Sequence, residues 1–494
     1  MCDRSFVIIL TLPMLKIIAF PFSLCYNIVM NKFEFKEALK RGSGRAYIAL
    51  QEEDKGYFRS LVQWGCLHVN TCNTQDEGFL DAYVYRLVKS YDDPESFLPA
   101  VADRLIAADY DDDTDEVRYL AKLATRFALD GSRLAAKAIR ERYKRTYDIL
   151  LDPDREVDWI VDYDLEVFCS LASCVLAVDG EGGMTRVATN VGSLIRRLGF
   201  SPSDFDWIYQ DIYFEFSHLL PHLATLSGRN ADAFAAGYGE AFMDIYEHGD
   251  PRALYAEEVL KKVFPHGIPQ DGETAEEDVP SDEEANNSPD DERLKYEASD
   301  DDVAQPKSAL SEVMAVDIKR REALHRLSRP YSTEMPFSKL LPYLHNIDPE
   351  VRTAAENVLT KRRDDAALDY AKSRIAACGA EYCTVTVLLR NYREDMLPLL
   401  LRAVRGMDVE YREGEWHGVV LSMLYADEEG GHCPTELLLW AYENCLCRHC
   451  RHNVMEMLYA RGALTERMEN ECYYDAYPET VEFAEKHSFR RYEA

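Results

Sequence analysis

Hydrophobic residues recur every three or four positions along most of this chain, which is the spacing of one face of an α-helix. The pattern is clearest between residues 341 and 375. Asp348 suits the N-cap of a helix and Pro349 its first position, so the spacing predicts a helix that begins there. Asp364 opens a second one. The two apolar stripes are Val351, Ala354, Ala355, Val358 and Leu359, then Ala367, Leu368, Ala371 and Ile375.

These two stripes predict a pair of short helices packed as a hairpin. Each stripe is too narrow to be buried within one hairpin, so neighbouring hairpins must stack to cover it. The run Cys383–Leu389 is the one candidate strand, and its place between helical segments favours a buried helix. Gly42-Ser43-Gly44 fits a turn between two helices, since no third glycine or Gly-Lys-Ser/Thr follows it. The pattern therefore predicts an all-α fold, a solenoid of helical hairpins.

The segment DPEVRTAAENVL, preceded by LLPYLHN, resembles a HEAT-type repeat in its Asp-Pro start, its Val-Arg pair and its small residues. Three further segments resemble uncharacterised bacterial HEAT-repeat-containing proteins: ALKRGSGRAYIAL at 38–50, CLHVNTCNTQDEG at 66–78 and YENCLCRHCR at 442–451. The resemblance implies an armadillo-like solenoid and supplies no catalytic residue.

Composition divides the chain into four parts. Residues 1–29 are apolar. We interpret them as lying upstream of the true translation start near Met30, and a secretory leader or a membrane anchor is the alternative. Residues 30–266 form an N-terminal helical domain. Residues 267–309 are rich in acids and poor in apolar residues, which predicts a disordered linker. Residues 310–494 form the C-terminal domain of HEAT-like repeats.

The charge balance narrows the choice of partners. The chain carries 88 acidic against 56 basic residues, a formal charge of −32, and such a surface repels phosphate backbones and anionic membranes. One helix carries a basic run that a nucleic acid could use, although pairing with nearby acids is the simpler interpretation. The run consists of Arg133, Lys137, Arg140, Arg142, Lys144 and Arg145. Thirteen scattered cysteines favour a reducing, cytoplasmic location.

Cysteine and histidine are concentrated near the C-terminus. Cys447 and Cys450 have the C-x-x-C spacing of a zinc site or a redox pair. For zinc, the missing ligands would come from His432, Cys433 or Cys472; Cys445, His449 and His452 also lie nearby. We favour small buried side chains, because no second such pair completes a site. We assign no catalytic, cofactor-binding or metal-binding residue from the sequence.

The function that these patterns favour is a non-enzymatic scaffold that binds another protein. The predicted contact surface is the second helix of the 341–375 hairpin, with Asp369, Lys372 and Arg374 pointing outward. Two alternatives stay open. One is a helical-repeat protein that binds nucleic acid or acts as a DNA glycosylase, and the other is an immunity protein that neutralises a toxin.

Overall fold

The computed structural model describes residues 30–68, 80–108, 114–151, 160–246, 261, 319–328, 333–407, 413–428 and 431–492. Every regular element within these ranges is helical, so the all-α prediction is confirmed. None of these helices has both the length and the apolar character needed to cross a bilayer. The predicted leader at 1–29 and the predicted linker at 267–309 lie outside the described residues.

The N-terminal half, residues 30–246, contains twelve α-helices within its described ranges. They are α1 (Lys32–Lys40), α2 (Gly44–Glu52), α3 (Lys55–Leu67), α4 (Leu80–Val88), α5 (Leu98–Ala107), α6 (Thr114–Leu129), α7 (Arg133–Leu150), α8 (Ile160–Asp179), α9 (Glu181–Leu198), α10 (Asp206–Phe214), α11 (Leu220–Thr225) and α12 (Arg229–Tyr246).

The C-terminal half, residues 319–492, begins with helical residues 319–327 and continues with ten further α-helices in the described ranges. They are α13 (Phe337–Leu344), α14 (Pro349–Thr360), α15 (Asp365–Cys378), α16 (Tyr382–Arg390), α17 (Leu397–Arg405), α18 (Glu413–Tyr425), α19 (Thr435–Asn444), α20 (Arg448–Ala460), α21 (Glu466–Cys472) and α22 (Pro478–Lys486).

The predicted helix starts at Asp348 and Asp364 are confirmed. The Asp348 carboxylate accepts hydrogen bonds from the backbone N–H groups of Glu350 (2.9 Å) and Val351 (3.4 Å), and Asp364 accepts one from Ala367 (2.9 Å). Each carboxylate thus satisfies N–H groups that have no partner within the helix. The apolar stripes of α14 and α15 face the core, with Ala354 only half-buried. The run Cys383–Leu389 lies in α16 and is buried, so the choice of helix over strand is also confirmed.

The pairing of these helices is offset by one from our prediction. The predicted hairpin joined α14 to α15, whereas α14 packs with α13 and α15 packs with α16. Beyond these pairs, each helix from α14 to α18 packs on the helix two further along. One row therefore contains α14, α16, α18 and α20, and the second row contains α15, α17 and α19. The sequence does not determine which neighbour each helix pairs with, because a narrow apolar stripe can be covered by the preceding or the following helix.

The end of the C-terminal half packs against the start of the N-terminal half. Helix α21 lies against α2, and Ala476 belongs to the hydrophobic core of the N-terminal half. The Ala476 N–H donates a 2.8 Å hydrogen bond to the Gly42 carbonyl, and the rings of Tyr47 and Tyr474 stack with centroids 4.3 Å apart. We call this contact the junction. Among the described residues, it joins the last helices to the first, which the sequence patterns do not predict.

The turn Gly42-Ser43-Gly44 allows the close approach at the junction. Gly42 has a φ of +64°, and a Cβ there would lie 2.5 Å from the Ala476 Cβ. A Cβ on Gly44 would lie 1.9 Å from the Glu471 carbonyl oxygen, which is part of the backbone and has little freedom to move. The interhelix turn is therefore confirmed, and both glycines are needed for the contact between the halves.

Replacing Gly44 by alanine should separate the two backbones at the junction. We expect Gly44→Ala to lower the free energy of unfolding by about 1–3 kcal/mol, the usual cost of an overpacked site. Gly182→Ala in α9 is the matched control, because a Cβ there meets no atom within 4 Å. Urea unfolding followed by circular dichroism measures both; equal stability of the two variants would contradict the close approach.

Candidate functional site at the start of helix α20

The first turn of α20 holds four buried side chains that point to two different surroundings. Cys447 is the N-cap residue, and its sulfur accepts a 3.4 Å hydrogen bond from the Cys450 N–H. Arg448, Cys450 and Arg451 follow, and none is more than 3% exposed. The two thiols face α18, and the two arginines reach the junction. One helical turn therefore belongs to both a sulfur-rich cluster and the contact between the halves.

The sulfur-rich cluster is completed by His417 of α18. Its Nε2 lies 3.2 Å from the Cys450 Sγ. Nitrogen and sulfur atoms of His417, Cys447 and Cys450 all lie within 4.8 Å of one another. Both cysteines are buried and the histidine is half-buried. We call these three residues the His–Cys–Cys cluster; they are ligand types that bind soft or borderline metal ions.

The other histidines and cysteines named from the sequence have different surroundings. Cys433 is buried, and its N–H donates to Asp427. Burial also raises the pKa of Cys472, and Tyr442 lies beside it. His449 bonds Tyr477 (3.0 Å) and His452 bonds Thr480 (3.2 Å), while the exposed His432 lies against Tyr392. Cys445 donates to the Cys447 carbonyl at 3.1 Å. None of these residues joins the His–Cys–Cys cluster among the described residues.

The sequence pattern identified the two cysteines but missed His417. The C-x-x-C spacing is local, so it is visible without a fold. His417 lies one helical pair earlier, and it reaches Cys450 because α18 and α20 are neighbours in the same row. His417 could have been identified by assuming that each helix packs on the helix two further along, since this packing places α18 beside α20.

On the other side of the turn, Arg451 makes a buried ion pair with Asp475. Its Nη2 lies 2.8 and 2.7 Å from the two carboxylate oxygens, and both side chains are almost completely inaccessible. Its Nη1 donates a 2.6 Å hydrogen bond to the carbonyl of Arg41, the C-cap residue of α1. Asp475 also accepts a bond from the Tyr477 N–H. Arg451 thus satisfies a carbonyl at the end of a helix 410 positions away in the sequence.

Further charges surround this ion pair. Burial raises the pKa of Glu471, although Arg467, Arg45 and Arg451 act in the opposite direction. Burial lowers the pKa of Arg41 to about 10; the Glu37 carboxylate opposes this shift and the charge of Arg451 adds to it. Arg467 bonds Glu471 at 2.8 Å. The junction therefore combines apolar contacts with buried charges, and each buried charge is stabilised by a partner of opposite sign.

The predicted partner-binding residues lie on α15, away from this turn. Asp369 is exposed and Lys372 is half-exposed. Arg374 forms a 2.8 Å ion pair with Glu381, the residue that precedes α16. Arg374 therefore has a partner within the chain, and Asp369 and Lys372 are the more accessible members of the predicted surface.

Comparison of the chain with known protein families and with curated proteins finds no match. The resemblance to HEAT-type repeats therefore stays a prediction that rests on the residues around α14. The described residues still allow a structural description. They form an all-α fold whose last helices pack on its first, with a His–Cys–Cys cluster beside that contact.

Removing the charge of Asp475 should weaken the junction. Asp475→Asn keeps the shape of the side chain but leaves Arg451 buried without a counter-charge, which typically costs about 3–5 kcal/mol. We expect a marked fall in the melting temperature and in the free energy of unfolding. Asp148→Asn is the matched control, because Asp148 pairs with Lys144 on an exposed face of α7. Similar melting temperatures for the two variants would contradict the role given to the ion pair.

Proposed function

We propose that this protein is a non-enzymatic scaffold that binds another protein on a solenoid of HEAT-like helical pairs. The packing of each helix from α14 to α18 on the helix two further along supports the solenoid, since stacked pairs bury one another's apolar stripes. The structure pairs none of the ten cysteines in the described ranges in a disulfide, which supports a reducing, cytoplasmic location.

The observation that carries the proposal is an open depression on α17. It has a volume of about 660 Å³ and is lined by Leu397, Pro398, Leu401, Arg402, Arg405 and Gly406. Its lining combines the half-buried side chains of Leu397 and Leu401 with the exposed Arg402 and Arg405. This combination suits a protein segment that presents apolar and acidic side chains together.

The proposed binding surface joins this depression to the residues predicted from the sequence. Helix α17 packs on α15 in the same row, so Asp369 and Lys372 lie on the neighbouring helix. In a solenoid, equivalent helices of successive pairs form one continuous surface for an extended partner. The proposed binding surface therefore consists of Asp369 and Lys372 on α15 and the α17 depression.

The basic run on α7 gives little support to the nucleic-acid alternative. Arg140 pairs with Asp179, Lys144 with Asp148 and Lys137 with Glu141. Arg142 and Arg145 donate to the carbonyls of Ala108 and Ile106. The expected pairing of this run with nearby acids is thus confirmed for three of its side chains. A phosphate backbone would have to compete with these bonds.

Reversing the positive charges of the proposed surface should weaken partner capture. The test variant carries Lys372→Glu, Arg402→Glu and Arg405→Glu; Arg374 is left unchanged because it pairs with Glu381. The control carries Arg133→Glu, Lys137→Glu and Lys144→Glu, the same change in charge on α7, where the ion pairs of Lys137 and Lys144 are exposed and contribute little to stability. We expect partners captured from host extract by the wild type to fall about tenfold in the test variant, equivalent to about 1.4 kcal/mol. The control should retain them.

A direct binding measurement separates this proposal from the nucleic-acid alternative. Fluorescence anisotropy with a mixed-sequence DNA duplex and a single-stranded RNA should show no tight binding by the wild-type chain. Tight binding that weakens steeply with salt, and that the α7 control variant abolishes, would replace the scaffold by the nucleic-acid alternative.

A further inference from the structure

We propose that His417, Cys447 and Cys450 bind one Zn²⁺ ion, with the fourth position open to water or to an external ligand. The site is independent of the proposed scaffold function. It rests on three side chains from two helices that converge on one point, and two of them are buried thiols.

The spacing of the donor atoms is close to that of a tetrahedral zinc site. Zinc binds sulfur at about 2.3 Å and nitrogen at about 2.0–2.1 Å, so donors around a tetrahedral ion lie about 3.4–3.8 Å apart. The His417 Nε2 and the Cys450 Sγ are 3.2 Å apart, and all three donors lie within 4.8 Å of one another. Small side-chain rotations therefore suffice to place the three donors around an ion.

The charges also fit a divalent ion. Two thiolates and a neutral imidazole bring a charge of −2, which Zn²⁺ cancels, so the loaded site adds no net charge to the interior. Binding converts two thiols to thiolates, and two protons leave to solvent. Cys447 and Cys450 lie at the N-terminus of the 13-residue helix α20, whose dipole favours the thiolate form. Sulfur and imidazole donors select zinc over magnesium or calcium.

An ion at this site would join two neighbouring helices of one row. His417 lies on α18, and the two cysteines lie in the first turn of α20. The same turn carries Arg448 and Arg451, which reach Gly42 and Asp475 at the junction. The ion therefore fixes the turn that positions the buried arginines, and its removal should loosen the contact between the halves.

Metal content and ligand-field spectra of the full chain test the proposal. The chain is purified under reducing conditions with zinc, desalted, and measured by elemental mass spectrometry. We expect about one zinc per chain in the wild type, in line with a single three-donor site. Replacement by Co²⁺ should produce tetrahedral d–d bands and thiolate-to-cobalt charge-transfer absorption.

Variants distinguish this site from other cysteines and histidines. Cys450→Ser and His417→Gln should each weaken zinc binding by at least about tenfold, because loss of even a hydrogen-bond partner of a ligand costs that much. Cys472→Ser and His432→Gln are the controls, since neither residue belongs to the cluster. If Cys450→Ser fails to fold, the half-exposed His417 still provides the test, with helix content checked by circular dichroism.

Three results would overturn the zinc site. The first is a zinc content that is equally low in the wild type and in both cluster variants. The second is bound cobalt without a thiolate charge-transfer band. The third is a Cys447–Cys450 disulfide that persists in the chain as purified under reducing conditions, because it would leave neither cysteine as a thiolate to bind the ion.

Discussion

The contact between the two halves depends on a buried ion pair, Arg451 with Asp475. A guanidinium and a carboxylate are removed from water together, so each is stable there only while the other is present. The same guanidinium bonds the carbonyl that ends α1, and the backbone of the following turn bonds Ala476. Burying this pair requires the two backbones to meet closely, which explains why glycine occupies positions 42 and 44.

This contact brings together helices that are far apart in the sequence. The last helices of the C-terminal half pack on the first helices of the N-terminal half, so α21 lies beside α2. The His–Cys–Cys cluster occupies the other side of the turn that supplies Arg451. The proposed zinc ion and the ion pair would therefore stabilise the same helix start from two sides, while the proposed binding surface on α15 and α17 lies elsewhere in the C-terminal half.

Local features of the fold could be predicted from the sequence, and long-range ones could not. Asp348 and Asp364 cap helices through atoms two or three residues away, so their signal is contained in a few positions. The apolar stripe of α14 could be covered by α13 or by α15. The sequence of the stripe does not distinguish these two neighbours. The Arg451–Arg41 bond spans 410 positions, and no periodic pattern encodes it. The site falls between these cases. Cys447 and Cys450 lie three positions apart, so their spacing is visible in the sequence. The position of His417 beside them is known only once α18 and α20 are seen to pack together.

Hydrogen–deuterium exchange of the full chain tests the central claim, that the turn after α1 and the segment after α21 are held together through Arg451 and Asp475. Wild-type peptides covering residues 38–46 and 471–477 should exchange slowly. In the Asp475→Asn variant, we predict faster exchange in both peptides, including the one at the opposite end of the sequence, because the two segments share one buried contact. Faster exchange confined to residues 471–477, with residues 38–46 unchanged, would contradict the account.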